Sequence, residues 1–376
     1  MNRLLQGLRS NPLLWLLAAV PAAFIGERVA AESHTMLFVL AVLAIIPLAA
    51  LLSHATESVA AKTGDAVGGL LNATLGNLTE LVIAITALRA GMFDLVKASI
   101  AGAIVTNSLF MLGMAFLLGG LKHRVQEYNA GTARLQAGML FLAAVALLVP
   151  SVIGGSDRPE VAAIVQQLSI GLAVLLLVTY VLGLLFSLKT HKDLFASAGG
   201  GGHGEDEHLW PVKVAIIALA VITVLVALVS EIFVESVQYA AISFGMTPAF
   251  VGFIVVALVG AAAEMTSAFA AARKNRLDLS VGIALGSSSQ IALFVAPVLV
   301  LLSLFIAPTP MDLQFWPGAV IMVMLATFTV LFVTNTGRSA WFVGVMLLVV
   351  YVTFAITLYL LPPPSVDPAA AVTGTM

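Results

Sequence analysis

GLLNATLGNLTELVIAITALRAGMFDLVKASIAG, residues 69–102, and VGAAAEMTSAFAAARKNRLDLSVGIALGSSSQIALFVAP, residues 259–297, decide how this chain is read. At a constant offset of 184 residues, Gly76–Gly102 aligns without gaps to Gly260–Gly286. Eight of the 27 positions are identical: Gly76/Gly260, Glu80/Glu264, Ala84/Ala268, Ala87/Ala271, Arg89/Arg273, Asp94/Asp278, Leu95/Leu279 and Gly102/Gly286. Matched alanines and leucines are cheap in an apolar chain. Matched Glu, Arg and Asp are not, because only 10% of the residues are charged.

The surrounding composition sets the class. Of 376 residues, 61% are hydrophobic, and the charged fraction falls well below the roughly 25% of a soluble domain. A bilayer core asks for about 20 mainly apolar residues per spanning helix. Such runs lie near 12–27, 34–60, 67–89, 94–120, 133–153, 160–188, 211–243, 248–272, 278–306, 312–335 and 338–361. The first follows a basic start, MNRLLQGLRS. It is read as a retained helix, since AVPAAFIGERVAA offers only a vague signal-peptide cleavage site. A net charge of −2 gives no basic face for nucleic acid. Zero cysteines remove disulfides, thiolate metal sites and cysteine nucleophiles.

Orientation follows from the excess of Lys and Arg in cytoplasmic loops. With the N-terminus inside, that face collects Arg3, Arg9, Lys62, Lys122, Arg124, Arg134, Lys189, Lys192, Lys213, Arg273, Lys274, Arg276 and Arg338. The other face keeps Arg28, Arg89, Lys97 and Arg158. The two matched segments begin five spans apart, so they point oppositely through the membrane, as in the inverted repeats of secondary transporters. The expected fold is an all-α integral membrane protein of about eleven transmembrane helices. It divides into an N-terminal helix, 1–33; a first five-helix repeat, 34–188; a cytoplasmic linker rich in Gly, His and acidic residues, 189–210; a second, inverted five-helix repeat, 211–361; and a disordered tail, 362–376.

Glu80 and Glu264 fall deep in their runs. A charged side chain there costs roughly 2.5 to 3.5 kcal/mol on insertion scales unless it meets a cavity, a partner or a proton. Nothing basic lies deep enough to pair with either, which leaves a bound cation or protons. Two ionised carboxylates balance Ca2+, which takes six to eight oxygen ligands. When the metal leaves, mutual repulsion and desolvation favour proton uptake on the same oxygens. That competition suffices for exchange of one ion for the other, with at least two protons per Ca2+. Asn77 shares a helical face with Glu80, and Asn72 and Gly76 extend the stripe. Polar residues cluster again at Thr106, Asn107 and Ser108, and at Ser287, Ser288, Ser289 and Gln290. Asn77, Asn107, Gln290 and Ser288 are the candidate donors, against the alternative that such groups only bond across helices.

The two quoted segments closely resemble the signature repeats of the Ca2+/H+ exchangers, within the wider Ca2+/cation antiporter superfamily. The likeness extends more loosely over the ten helices after the first, including HATESVA at Glu57 and LVSE at Glu231. It implies Glu80 and Glu264 as the central Ca2+ and proton carboxylates, with Asn77, Asn107 and Gln290 lining the site. It also implies Glu57 and Glu231 as carboxylates near the cytoplasmic mouth where ions arrive; the bland reading makes them ends of apolar runs. One departure stands out. Where the family pattern reads Gly-Asn-x-x-Glu-His, this chain has Gly260, Ala261, Ala262, Ala263, Glu264 and Met265. An amide and an imidazole are missing, so a Na+- or K+-coupled antiporter is the alternative, with a cation channel ranked below it. In the first repeat Thr79 stands where sodium/calcium exchangers typically place proline.

No enzyme is expected. The six histidines, His34, His54, His123, His191, His203 and His208, all lie near loops or helix ends. No cofactor is expected, Ca2+ being the transported ion. The expected partners are Ca2+, H+ and the lipid bilayer, with no nucleic acid and with room for a homo-oligomer. The location is the inner membrane if the source is bacterial, with a cytoplasmic N-terminus. His203, Glu205, Asp206, Glu207 and His208 read as a solvated linker, and Asp94 and Asp278 as helix N-caps.

Overall fold

The computed structural model describes residues 12–63, 65–154, 159–191 and 209–360. The linker cluster from His203 to His208, the tail from 361 onward and the basic start fall outside the described residues. Each apolar run expected as a helix is helical. A 3-10 turn, Pro12–Ala18, leads into α1, Ala19–Val29. Then come α2, His34–Ala60; α3, Asp65–Leu75; α4, Leu78–Arg89; and α5, Phe93–His123. After α5 follow α6, Ala130–Ile153, and α7, Pro159–Leu185. The second half holds α8, Val212–Ser243; α9, Pro248–Gly260; α10, Ala262–Arg273; α11, Leu277–Ile306; α12, Pro317–Val333; and α13, Trp341–Leu360.

Among the described residues, eight helices are long and apolar enough to cross a membrane, or nine if α9 and α10, bent by 59°, form one broken span. The figure of about eleven is not reached by that measure. The α1 segment and the α3–α4 pair are helical but interrupted, so neither offers one long run. Outward-facing positions are apolar, as at Val178, Leu182, Phe305 and Phe332. The chain is an integral membrane protein built almost wholly of helices. One addition to the all-α reading is a short antiparallel pair, β1, Val125–Glu127, with β2, Arg338–Ala340, in which Gln126 faces Ser339.

Contacts between loops obey the expected alternation of faces. On one face the His34 ring stacks on Tyr239 with centroids 4.1 Å apart, Lys97 meets Asp312 at 2.5 Å, and Gln314 Nε2 donates to the Gly154 carbonyl at 3.0 Å. On the other, β1 pairs with β2, and the Trp210 N–H donates to Ser58 Oγ at 3.1 Å. Every one of these joins loops that strict alternation puts on the same side. Asp94 and Asp278 are not the N-caps expected. Met92 and Arg276 hold those positions, and the aspartates lie in the first turn, where the positive end of the helix dipole favours them. Asp278 also accepts the Asn129 N–H, linking α11 to the start of α6.

Close crossings depend on small residues. A Cβ on Gly102 of α5 would collide with the Phe253 backbone of α9, whereas one on the repeat-equivalent Gly286 would meet only Gln136 Nε2, at 3.4 Å. Backbone cannot step aside as a side chain can. Gly102→Ala is therefore expected to destabilise by roughly 1 to 3 kcal/mol, the usual range for overpacking. Gly286→Ala is expected to be neutral or stabilising, because Ala is favoured in a helix by about 1 kcal/mol. Apparent unfolding midpoints of both purified variants, at one scan rate, check the contrast; equal midpoints would contradict it.

Candidate ion-binding site

The two carboxylates lie at matching breaks. The α3 helix stops at Leu75 and α4 starts at Leu78, with Asn77 at the N-cap position; α9 stops at Gly260 and α10 starts at Ala262, with Ala261 at the N-cap. Glu80 and Glu264 are each the third residue of their half-helix. Sequence reading placed them inside continuous helices, and this is corrected: they occupy first turns. There the free N–H groups and the dipole act on an anion. The Gly76-Asn77 dipeptide carried a turn signal that could have located the first break. Gly260-Ala261 carried only half of it.

Side chains from both halves converge on the breaks. Asn77 Nδ2 donates to Gln290 Oε1 at 2.5 Å, tying the α3–α4 break to α11. Ser287 Oγ lies 2.8 Å from Asn77 Oδ1 and 2.6 Å from Glu264 Oε2, and accepts from Asn107 Nδ2 at 3.1 Å. Glu80 reaches across to the other half: a Cβ on Gly260 would fall 2.9 Å from Glu80 Cγ and 3.3 Å from its Oε1. Only a residue without a side chain leaves room there. Two acceptor oxygens in this group, Glu80 Oε1 and Asn107 Oδ1, are buried without a hydrogen-bond partner. Such orphans are costly unless something electropositive reaches them.

Asn77 and Asn107 are buried, while Glu80, Glu264 and Gln290 keep partial exposure. Ser288 does not join them. Its hydroxyl lies 2.9 Å from the Ala284 carbonyl and 3.3 Å from that of Ile104, so its one proton is directed at backbone and not at the network. Ser287 holds that place instead, a residue the sequence put in the polar cluster but not among the candidate donors, although it precedes Gln290 by three positions and so shares its face. Asn72 is exposed and its carbonyl accepts the Gly76 N–H. Glu57, beside Ser53 and His54, and Glu231 are exposed on α2 and α8, outside the network.

Pseudo-symmetry shows what each half lacks. The counterparts of Asn77, Asn107, Ser287 and Gln290 are Ala261, Ile291, Ala103 and Thr106. Ala261 is fully buried and carries no polar group. Thr106 turns to Tyr351, with their hydroxyls 3.3 Å apart. Both long helices widen into π turns beside the site, at Thr106–Met111 and Ile291–Val295, a feature frequent at functional sites. Hydropathy gave no sign of them.

All the donors are oxygen, which suits a hard cation. Two carboxylates match a divalent charge, and among the described residues no group of three or more His, Cys, Asp or Glu gathers to hold a metal. Ser287→Ala is expected to weaken divalent-cation binding by about 3- to 10-fold, the value of one or two hydrogen bonds. Ser288→Ala should change it by less than about 2-fold on the same scale. Calorimetric titration of the purified protein with Ca2+ and Mn2+ checks this; equal effects would mean that Ser287 has no special place.

The family described as sodium/calcium exchanger protein matches residues 33–189 and 214–360. A Ca2+/H+ antiporter of Aphanothece halophytica is 38% identical over 362 residues, covering 92% of this chain and 96% of that one. The Ca2+/H+ antiporter ChaA of Bacillus subtilis strain 168 is 39% identical over 357 residues, covering 93% and 100%. Among solved structures, native YfkE superposes with a TM-score of 0.79 at 37% identity, covering 93% of this chain and 100% of that one. The H+/Ca2+ exchanger CAX shares the fold, with a TM-score of 0.69 at 15% identity and coverage of 94% and 88%.

Proposed function

The chain belongs to the sodium/calcium exchanger protein family, and from that premise we propose that it exchanges Ca2+ for protons across a membrane by alternating access. Glu80 and Glu264 bind Ca2+ or protons in competition. Asn77, Asn107, Gln290 and Ser287 supply or orient neutral oxygens around them. The observation that carries the reading is the meeting of two carboxylates, on equivalent first turns of broken helices, with an unpartnered Glu80 oxygen and, among the described residues, no basic side chain bonded to either. Relatives named Ca2+/H+ antiporters, matched over nearly their whole length, support the choice of ions.

The mechanism follows from charge. With both carboxylates ionised, the site holds two negative charges in a poorly polarisable interior, which a divalent cation neutralises. After the cation leaves, one proton on each carboxylate restores neutrality, and a neutral site can turn to the other face at low cost. Either load permits the turn and the empty, doubly charged site resists it, so exchange is obligatory. The proposed frame is two inverted five-helix halves, 34–188 and 211–361, with the N-terminus in the cytoplasm and the linker 189–210 on that side. Support comes from the family match falling in two segments and from the loop contacts that keep to one face. Glu57 and Glu231 are proposed to gather cations near the mouth.

In everted vesicles, a pH-sensitive dye should report proton release on addition of Ca2+; silence with Ca2+, Na+, K+ and Mn2+ alike would sink the transport reading, and release with Na+ or K+ alone would move it to the alternative. Glu80→Gln and Glu264→Gln are each expected to reduce exchange by about 100-fold or more while preserving membrane insertion, since each removes one charge of a buried pair. Protons compete for the same oxygens. Apparent Ca2+ affinity should therefore rise with pH, by up to about 100-fold per pH unit where two protons are displaced. A pH-independent affinity would break the competition.

A further inference from the structure

Resting on the exchange reading, we propose that Lys122, His123 and Gln126 are positioning residues that clamp the far end of α10, the half-helix carrying Glu264, and hold it in one access state. Both half-helices end alike. At α4, Gly91 has φ 74°, its N–H donates to the Leu88 carbonyl at 3.1 Å, and the Met92 N–H donates to the Ala87 carbonyl at 2.9 Å. At α10, Asn275 has φ 59°, its N–H donates to the Ala272 carbonyl at 3.1 Å, and the Arg276 N–H donates to the Ala271 carbonyl at 2.9 Å. This is the same Schellman closure, at positions 184 residues apart. The closure is enough to end a helix.

One end has more than it needs. Lys122 Nζ lies 3.0 Å and His123 Nε2 2.9 Å from the Arg273 carbonyl, and Gln126 Nε2 donates to the Ala272 carbonyl at 2.9 Å and to Asn275 Oδ1 at 2.8 Å. Among the described residues, no side chain donates to the equivalent carbonyls of Leu88 and Arg89. A cavity of about 410 Å3 opens beside that end, lined by Ala90, Gly91, Met92 and Asp94 with Gln238 of α8 opposite. Two ends of identical backbone design therefore differ only in what surrounds them. The end on the basic face is tied down by side chains, and among the described residues the end on the opposite face has no such ties.

The tie runs back to the site by a second route. Lys122 and His123 finish α5, the helix whose π turn holds Asn107, and Gln126 belongs to β1, braced by β2 through the Glu127–Arg338 pair at 2.7 Å. Glu264 and Arg273 are nine residues apart, which is about 13 Å along a rigid helix. A shift at the clamped end is thus carried to the carboxylate. Two donors share the Arg273 carbonyl, so both must go to release that carbonyl, whereas Gln126 alone holds the Ala272 carbonyl and Asn275.

The chain has no cysteine, so Thr266→Cys, on an exposed position of α10, supplies a single reporter thiol. In proteoliposomes, the Lys122→Ala/His123→Ala pair in this background is expected to change labelling of the thiol by a membrane-impermeant maleimide about threefold or more at one face, with a comparable fall in turnover. Lys122→Arg/His123→Gln keeps both donors and should restore both values, which general damage to the fold would not allow. Labelling within about 1.5-fold of the reporter parent, or a change that the donor-keeping pair fails to reverse, overturns the clamp. Should the double alanine variant not reach the membrane, Gln126→Ala is measured in the same way and held to the same limits. Labelling needs no transported ion, so a parent that does not exchange Ca2+ for protons would sink the transport reading while the clamp was still decided.

Discussion

Two carboxylates that cannot both stay charged and unpaired in the same interior set the terms for this molecule. Glu80 and Glu264 come together at the breaks, neither forms an ion pair with a basic residue among the described residues, and the groups placed against them are neutral, Gly260 beside Glu80 and the Ser287 hydroxyl on Glu264. A buried charge of that kind is tolerated only when something positive compensates it. The fold answers in part through the helix breaks, which place both carboxylates in the first turns of α4 and α10, at the positive ends of the helix dipoles. Partial charges from two helix ends soften the penalty but do not remove it. In the proposed exchange the remainder is left to mobile ions, and that dependence would turn a structural cost into transport.

The breaks also explain why the site is built from both halves. An unbroken helix would send Glu80 along the flank of its own repeat. Ending α3 at Leu75 and restarting at Leu78 redirects the chain so that Glu80 lies against Gly260. Gly102 keeps α5 close against α9, and Asn107 of α5 reaches Ser287 of α11. Packing and site are thus one arrangement, since the hydrogen bonds that join Asn77, Asn107, Ser287, Gln290 and Glu264 cross between helices and between halves.

Much of this was legible in the chain. Low charge, long apolar runs and the gapless match of Glu80 with Glu264 led to a helical membrane transporter with a paired acidic site, because charges that survive in apolar surroundings are informative. The breaks at Asn77 and Ala261 were not legible, since hydropathy averages over a window and cannot see a turn of two residues. The π turns escaped for the same reason. Ser288 was chosen over Ser287 because a run of three serines shows no phase until the helix fixes which one faces inward. The β1–β2 pair was invisible because Gln126 and Ser339 lie in different halves, and three-residue strands leave no periodicity.

The asymmetry of the halves gives Ser287 a part that symmetry would not provide. Its hydroxyl owns one proton, yet two acceptors stand within reach, Asn77 Oδ1 and Glu264 Oε2. While Glu264 is ionised, the proton is best used on the carboxylate, because charge-assisted hydrogen bonds are roughly twice as strong as neutral ones. Once Glu264 is protonated, its own O–H can donate to Ser287, and the serine proton turns to Asn77, which already donates to Gln290. Under the proposed exchange, a change of load on Glu264 would thereby reach the α3–α4 break next to Glu80. The counterpart positions, Ala103, Ala261 and Thr106, contain no such chain, so the signal runs through one set of residues. Loss of the second-repeat amide at Ala261 therefore does more than subtract a ligand: among the described residues it leaves one hydrogen-bonded path from Glu264 through Ser287 to the α3–α4 break, with no counterpart in the other half.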